Sequence, residues 1–564
     1  MASIWASVTG SLRNVLAVWA SANSCEMALS EIGLDMAHIV AASPTISEAE
    51  SRYASSVKTN AYYSQNNHSA CYNGIVPLIS FPQRLSDLAE SLPDRPAVVC
   101  NGRSISRADL ERAGNRLARD LADRGVGYGD FVTVALPNSI DWFITYVAVW
   151  KLGATPQPVS AKLPPRELAA IVELASPKVV VGVEPDSDMA ALLPDGVHCL
   201  PKGYEPSDEY SDEPLPDATS PAWKAPTSGG STGRPKLIVS GDPAIVDTDA
   251  DPAMLMSHDG CLVMPGPLYH NGPAVWSCQA LLCGSTVVLL ERFDAEATLA
   301  AIEEHSADVV YMVPTMMKRI LRLDDDVRFK YDLSSLRVVW HLAEPCPQWL
   351  KQAWIDWLGP ERIVELYAGT EAQAVTIITG SEWLEHRGSV GRVDQGEIKI
   401  CDADGNELPA GEQGEVWMRS SHRDTPTYLY LGAEAKQLDG GWESLGDVGW
   451  FDADGYLYLG DRLADMILTG GSNVYPAEVE SALQEHPDVK SVVVIGLPDD
   501  DRGNSVHAIV EADPAVVSTE DLLSFAAERL AKYKLPRTVE YVDEPLRDDA
   551  GKVRRNALRA DRAS

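Results

Sequence analysis

The stretch Thr227-Ser228-Gly229-Gly230-Ser231-Thr232-Gly233-Arg234-Pro235-Lys236 constrains this chain more than any other segment. Glycine passes through positive φ and lets backbone approach a ligand closely. Hydroxyls and main-chain N–H groups then supply donors for phosphate oxygens. The spacing is not that of a Walker A loop, which requires G-x-x-x-x-G-K-[ST]. Here Arg234-Pro235 separates Gly233 from Lys236, and Leu237 follows the lysine. On its own the loop also reads as a flexible surface turn, so its meaning depends on the rest of the chain.

A chain of 564 residues exceeds what one core supports, so at least two domains are expected. Lys and Arg number 47 against 82 Asp and Glu, a formal net charge of −35. That charge argues against nucleic acid or an anionic membrane surface as a partner. The nine cysteines contain no C-x-x-C pair. Cys278 and Cys283, in an apolar stretch, read as core thiols rather than zinc ligands. A reducing, cytoplasmic setting fits. No apolar run reaches the roughly 18–20 residues that span a bilayer, so no integral membrane contact is expected. Residues 1–74 are an extension of unknown role. Its apolar segment Asn14–Cys25, behind Arg13, is too short and broken for a signal peptide.

From about Arg84 the pattern is regular. Ala97–Cys100, Val132–Leu136 and Lys178–Val181 read as strands, the last two as buried parallel ones. Ser106 before Arg107 reads as a helix cap. Further runs follow at Thr286–Leu290, Val309–Met312, Arg337–Trp340 and Ile363–Leu366. Strands alternating with helices give an α/β class. Residues 203–225 read as a loop. After about Gly388 come short alternating strands, Glu397–Ile400 and Glu415–Met418. Turns at Asp404-Gly405 and Asp454-Gly455 suggest hairpins of a small barrel-like subdomain. The last segment carries helix Ala477–His486, strand Ser491–Ile495 and helix Thr519–Leu530.

Several ordered segments resemble the adenylate-forming superfamily of acyl-CoA synthetases, peptide-synthetase adenylation domains and luciferases. They are the Thr227–Lys236 loop, Pro267-Leu268-Tyr269-His270-Asn271-Gly272, Ala343-Glu344-Pro345 and Tyr367-Ala368-Gly369-Thr370-Glu371. Gly446-Asp447-Val448-Gly449, the stretch from Asp461-Arg462 through Gly470-Gly471 to Pro476, and Gly551-Lys552-Val553-Arg554-Arg555 complete the set. The resemblance covers about 75–564 and implies three segments: an extension over 1–74, an AMP-binding domain over 75–462 and a small mobile α+β domain over 463–564. The large domain is expected to combine α/β subdomains with the barrel-like one.

What the resemblance implies for each residue follows the chemistry. A carboxylate must approach a triphosphate, so charge must be neutralised in a dry site. Ser228, Gly229, Gly230, Ser231, Thr232 and Gly233 would face ATP phosphates. Lys236 would either touch the β/γ-phosphates or close the loop, and both readings stand. His270 would lie beside the substrate carboxylate. Ala343, Glu344 and Pro345 would edge the adenine, and Tyr367 would offer it a flat face. Thr370 would bond the α-phosphate, and Glu371 would hold Mg²⁺, a hard ion that prefers oxygen. Asp447 would take the ribose hydroxyls, and Arg462 ribose or phosphate. Lys552 would bridge the acid and the nucleotide and lower their repulsion. A domain rotation about Leu463-Ala464 would then bring Gly470-Gly471 to a tunnel for coenzyme A.

Departures from the family pattern mark the acyl pocket. Gly229 stands where many members have serine. Ala368 and Leu342 stand where glycine is frequent, and Ala464 where Asp or Lys is usual. Leu342, Ala368 and Trp276 are therefore expected to line the acid's pocket; Trp276 also reads as ordinary core. The motifs resemble the bile-acid, steroid and carnitine CoA-ligase branch and actinomycete ligases of natural-product acids. The expectation is an ATP-, Mg²⁺- and coenzyme A-dependent acid–CoA ligase acting on a small-molecule carboxylic acid in secondary metabolism. A homodimer is left open. An enzyme that hands acyl-AMP to a separate partner is the rival within the class. A non-catalytic nucleotide-binding scaffold is the rival outside it.

Overall fold

The computed structural model describes residues 78–229, 235–420, 426–460, 465–469, 472–499, 502–548 and 551–562. The chain divides into two compact units. One holds the chain through Arg292 with Ala300–Val310 and His422–Glu434. The other holds Phe293–Leu299, Tyr311–Ser421 and Ala435–Ser564.

In the first unit, β-branched runs become parallel strands. Phe131–Val134 lies between Thr155–Pro158 and Val179–Val181, and His198–Leu200 continues that sheet. Thr286–Leu289 pairs in parallel with Cys261–Met264 and with Pro96–Cys100. The strands Phe131–Val134 and Thr286–Leu289 end two residues and one residue before their apolar runs do, whereas Val179–Val181 ends with its run. Main-chain bonds nonetheless continue, with Ala135 N donating to Val181 O at 2.8 Å. The Ser106 hydroxyl accepts from Asp109 N and caps helix Arg107–Asp123 as its sequence predicts. That helix buries Leu110, Leu117, Ala118 and Leu121 on one face, the spacing of an amphipathic helix. Cys278 is buried, and burial pushes the thiols of Cys278 and Cys283 up. Residues 203–225 carry no helix or strand.

In the second unit, Val338–His341 and Ile363–Ala368 are parallel neighbours, and Val375–Thr379 then Ser389–Gln395 continue antiparallel. The antiparallel texture expected after Gly388 is present. Glu397–Cys401 pairs with Gly414–Arg419, and Val448–Phe451 forms a hairpin with Leu457–Leu459 whose turn holds Gly455 at φ +80°. The final segment forms its own sheet. A long hairpin, Ser491–Asp499 with Gly503–Glu511, is flanked by Ile467–Thr469 and by a parallel strand, Thr538–Val542. Val492, Val494, Val506, Ala508 and Val510 pack on one side with Val479 and Leu483 of helix Pro476–Gln484. Val493, Ile495 and Ile509 face the other side, where Leu546, Val553 and Leu558 cover them. Helix Thr519–Ala527 ends three residues before the expected Leu530. Among the described residues no helix is long and apolar enough to cross a membrane.

Candidate functional site

In the first unit the strands on either side of the glycine-rich loop pair with each other. Thr227–Gly229 runs antiparallel to Pro235–Ser240, with Ser228 opposite Lys236. Residues Gly230, Ser231, Thr232 and Gly233 lie outside the described residues, as do the side chains of Ser228 and Gly229. A buried relay fixes the base of this strand pair. Thr133 Oγ1 donates to Gln157 Oε1 at 2.6 Å, and Gln157 Nε2 donates to Thr227 Oγ1 at 2.6 Å. The Lys236 ammonium lies 3.9 Å from the centre of the Tyr430 ring. This cation–π contact across neighbouring strands supports the loop-closing reading.

The Pro267–Gly272 segment is held in the same way. Asn138 is buried; its Nδ2 donates to Gly266 O and to Leu290 O, and its Oδ1 accepts from Leu268 N, each at 2.8 Å. His270 then sits at the N-cap of helix Asn271–Cys283 in extended conformation, its ring 4.2 Å from that of Tyr269. Trp276 is buried on that helix. Lys224 donates to Asn271 Oδ1, one residue beyond His270.

The second unit gathers the remaining described candidates at the ends of Val338–His341 and Ile363–Ala368. Leu342 is buried just past the first strand, and Ala368 ends the second in a half-buried position. Tyr367 donates its phenolic O–H to Asp447 Oδ2 at 2.7 Å, so the residue expected on adenine and the residue expected on ribose are bonded neighbours. Gly446, at φ +84°, sets the turn before Asp447, and the Ser444 hydroxyl receives its N–H.

Oxygen acceptors converge around Gly369. A Cβ added there would overlap Leu445 Cδ1 and lie 3.1 Å from Glu371 Oε2 and 3.6 Å from Gln373 Oε1. Glu371 and Gln373 are both buried. Gln373 Nε2 donates to Glu443 Oε2 at 3.0 Å, while its Oε1 is a buried acceptor with no hydrogen bond among the described residues. The Glu371 carboxylate and the Gln373 amide oxygen are a pair of hard donors. That set fits Mg²⁺ and not a thiophilic metal.

Glu344 is the most perturbed carboxyl of the group. Its Oε2 accepts from Thr315 N at 3.2 Å and Thr315 Oγ1 at 2.9 Å. Burial pushes its pKa up to about 7, against the nearby Arg547 guanidinium and the Thr315 bonds, which favour the anion. Gly551, at φ +78°, lies against its second oxygen, and a Cβ there would overlap Glu344 Oε1. The residue before Lys552 is thus seated against the Ala343-Glu344-Pro345 segment by its missing side chain. Arg462, Gly470 and Gly471, with the Leu463-Ala464 hinge, lie outside the described residues. Sequence reading did not single out Asn138, Gln157, Thr315 or Gln373. The first three support their targets across long chain separations that leave no local pattern. Gln373 lies two residues beyond Glu371 in a turn that was read for its motif only.

Two family models match this chain: AMP-binding enzyme over residues 85–428, and AMP-binding enzyme C-terminal domain over 478–552. The chain is similar to a feruloyl-CoA synthase of an Amycolatopsis species, 32% identical over 496 residues, spanning 85% of this chain and 98% of that protein. It is similar also to a fatty acid–[acyl-carrier-protein] ligase of Streptomyces coeruleorubidus, 29% identical over 85% of this chain and 95% of that one. Among solved structures it is similar to the o-succinylbenzoate CoA synthetase of Bacillus subtilis bound to its acyl-adenylate intermediate. That similarity has a TM-score of 0.69 at 25% identity, covering 86% of this chain and 98% of that one.

Proposed function

The chain belongs to the AMP-binding enzyme family and is an AMP-forming acid–CoA ligase, and on that premise we propose that its acid is bulky and apolar, with aromatic, steroid-like or terpenoid-like skeletons favoured. The enzyme joins a carboxylate to ATP as acyl-AMP, releasing pyrophosphate, and then transfers the acyl group to coenzyme A. The substrate class rests on Leu342 and Ala368, which put side chains where the family often has glycine, and on the aromatic wall offered by Trp276. The feruloyl-CoA synthase similarity supports an aromatic acid.

The observation that carries the catalytic reading is Gly551 seated against Glu344, which brings the Lys552 loop to the segment assigned to the nucleotide. In this reading Asp447, oriented by the Tyr367 phenol, accepts from the ribose, and Tyr367 faces the adenine. Lys552 places its positive charge between the acid and the α-phosphate, where repulsion is greatest. The loop at Thr227–Lys236 gives donors to phosphate oxygens, and His270 orients the acid. Glu371 and Gln373 would hold Mg²⁺, which supplies charge neutralisation on the phosphate oxygens. The Streptomyces carrier-protein ligase favours a second reading, in which a protein-bound thiol replaces coenzyme A.

A pyrophosphate-release screen over fatty, aromatic, steroid and diterpenoid acids tests the substrate class. Preference for the fatty series would sink it. Lys552→Ala is expected to lower acyl-AMP formation roughly 10²-fold or more, about 2.7 kcal/mol of barrier, and to spare CoA transfer from supplied acyl-AMP. Adenylation near the wild-type rate would remove Lys552 from its role. Thiol acceptors tested in parallel separate coenzyme A from a carrier protein.

A further inference from the structure

The segment from Arg547 to Arg555 carries Lys552, and a single carboxylate on another element holds both of its ends. Glu480 lies on helix Pro476–Gln484 and is 5% exposed. Its Oε1 accepts from Arg555 Nη1 and, at 2.9 Å, from Val494 N. Its Oε2 accepts from Arg547 Nη2 at 3.0 Å. Both oxygens are thus loaded with charge-assisted bonds, the stronger kind.

Each guanidinium passes the constraint on. Arg547 Nη1 donates to Gly551 O at 3.1 Å, the carbonyl joined directly to Lys552. Arg555 Nη1 donates to Val494 O at 2.8 Å, pinning the far end to the sheet. Asp548 closes the tip: its N–H donates to Lys552 O at 3.0 Å, and its Oδ1 accepts from Lys552 N at 2.9 Å. Val553, next in the chain, packs on Val493, Ile495 and Ile509. The backbone of the exposed Lys552 is therefore fixed on both sides, through Arg547 on one and through the motif's own Arg555 on the other.

We propose that Glu480 is a positioning residue for Lys552, setting the lysine's backbone through a double arginine clamp so that its ammonium is pre-aimed for adenylation. The proposal rests on the reading of Lys552 as the adenylation lysine. The alternative is an ordinary staple between helix and sheet, which would stabilise the fold and leave the two half-reactions equally affected. The clamp instead acts on the step that uses Lys552, because misplacing a reacting group by about 1 Å costs up to about 10²-fold in rate.

The test compares Glu480→Gln, Arg547→Lys and Lys552→Ala in the full chain. Acyl-AMP formation and CoA transfer from supplied acyl-AMP are each followed in single turnovers, with thermal melting alongside. Gln removes the charge shared by the two guanidiniums, and Lys at 547 replaces the planar fork whose Nη1 and Nη2 reach Gly551 O and Glu480 separately with a single ammonium. Both variants should lower the adenylation rate at saturating ATP and acid about 10–100-fold. The KM for ATP and the CoA-transfer rate should stay within about threefold. Glu480→Gln adenylating at the wild-type rate while Lys552→Ala is crippled would overturn the clamp. So would a parallel fall of both half-reactions in folded Glu480→Gln. Should Glu480→Gln fail to fold, Arg547→Lys alone decides between the same outcomes. Unimpaired Lys552→Ala would remove the lysine's role, and the proposal with it, whatever the Glu480 variants do.

Discussion

At the scale of single residues, Ala343 carries the clearest backbone strain near the candidate site. It has φ +73° between Leu342 and Glu344, a region where Cβ crowds the following carbonyl and costs roughly 1–2 kcal/mol. Ala343→Gly should relieve that strain at the expense of added freedom in the unfolded chain, about 0.4–1 kcal/mol. The expected net gain is about 0.5–1 kcal/mol, read as a higher denaturation midpoint with an unchanged slope. A lower midpoint would show that the alanine methyl packs more than it strains. Residue chemistry was legible here from the motif, and residue environment was not. The Ala343-Glu344-Pro345 motif located the segment. Thr315, which bonds Glu344 from 29 positions away, and the strain at 343 exist only once the strand ends are brought together.

The elements were legible wherever apolar runs or caps were dense. Ser106 announced helix Arg107–Asp123, and valine runs announced the parallel strands. The strand Gly503–Glu511 went unread because it opens Gly-Asn-Ser and carries His507, although its later residues Ala508, Ile509 and Val510 fill the core. Its nine-residue pairing with Ser491–Asp499 supplies that order, and pairing partners override weak strand preference. The glycine-rich loop was read for its ligand chemistry, whereas the pairing of its flanking strands and the Gln157 bond to Thr227 join residues far apart in the chain. Among these elements the Arg547–Arg555 segment makes a sharp prediction. Gly551→Ala combines an unfavourable φ of +78° with a Cβ that would overlap Glu344 Oε1. Acyl-AMP formation should fall at least about tenfold, while CoA transfer from supplied acyl-AMP continues. Equal adenylation by the alanine variant would show that the loop need not meet Glu344.

For the whole molecule, the buried carboxyl of Glu344 gives a pH dependence with a definite sign. Its pKa rises from 4.5 to about 7 through burial, with Arg547 opposing that rise and Asp548 adding to it. A group raised in the folded state contributes stability that is complete below its unfolded value and is lost as pH climbs through the folded one. Stability from Glu344 is therefore lost between pH 4.5 and about 7. Lys318, drawn down to about 7 by burial with Arg322 and Arg547 nearby, runs the other way: its contribution is lost as pH falls towards about 7. Glu344→Gln keeps an acceptor for Thr315 and cannot ionise. Its stability relative to wild type should rise between pH 4.5 and about 7, by an amount on the order of 3 kcal/mol, and level off above. A flat difference across that window would show that the carboxyl is not sealed. The seal is a glycine with no side chain, so the proton count of the molecule is tied to where residue 551 rests. A movement that opened Glu344 to water would, between pH 4.5 and about 7, release a proton into the medium. Calorimetry in buffers of different ionisation heat would then register a change of shape as a change of heat, with no label on the protein and no turnover.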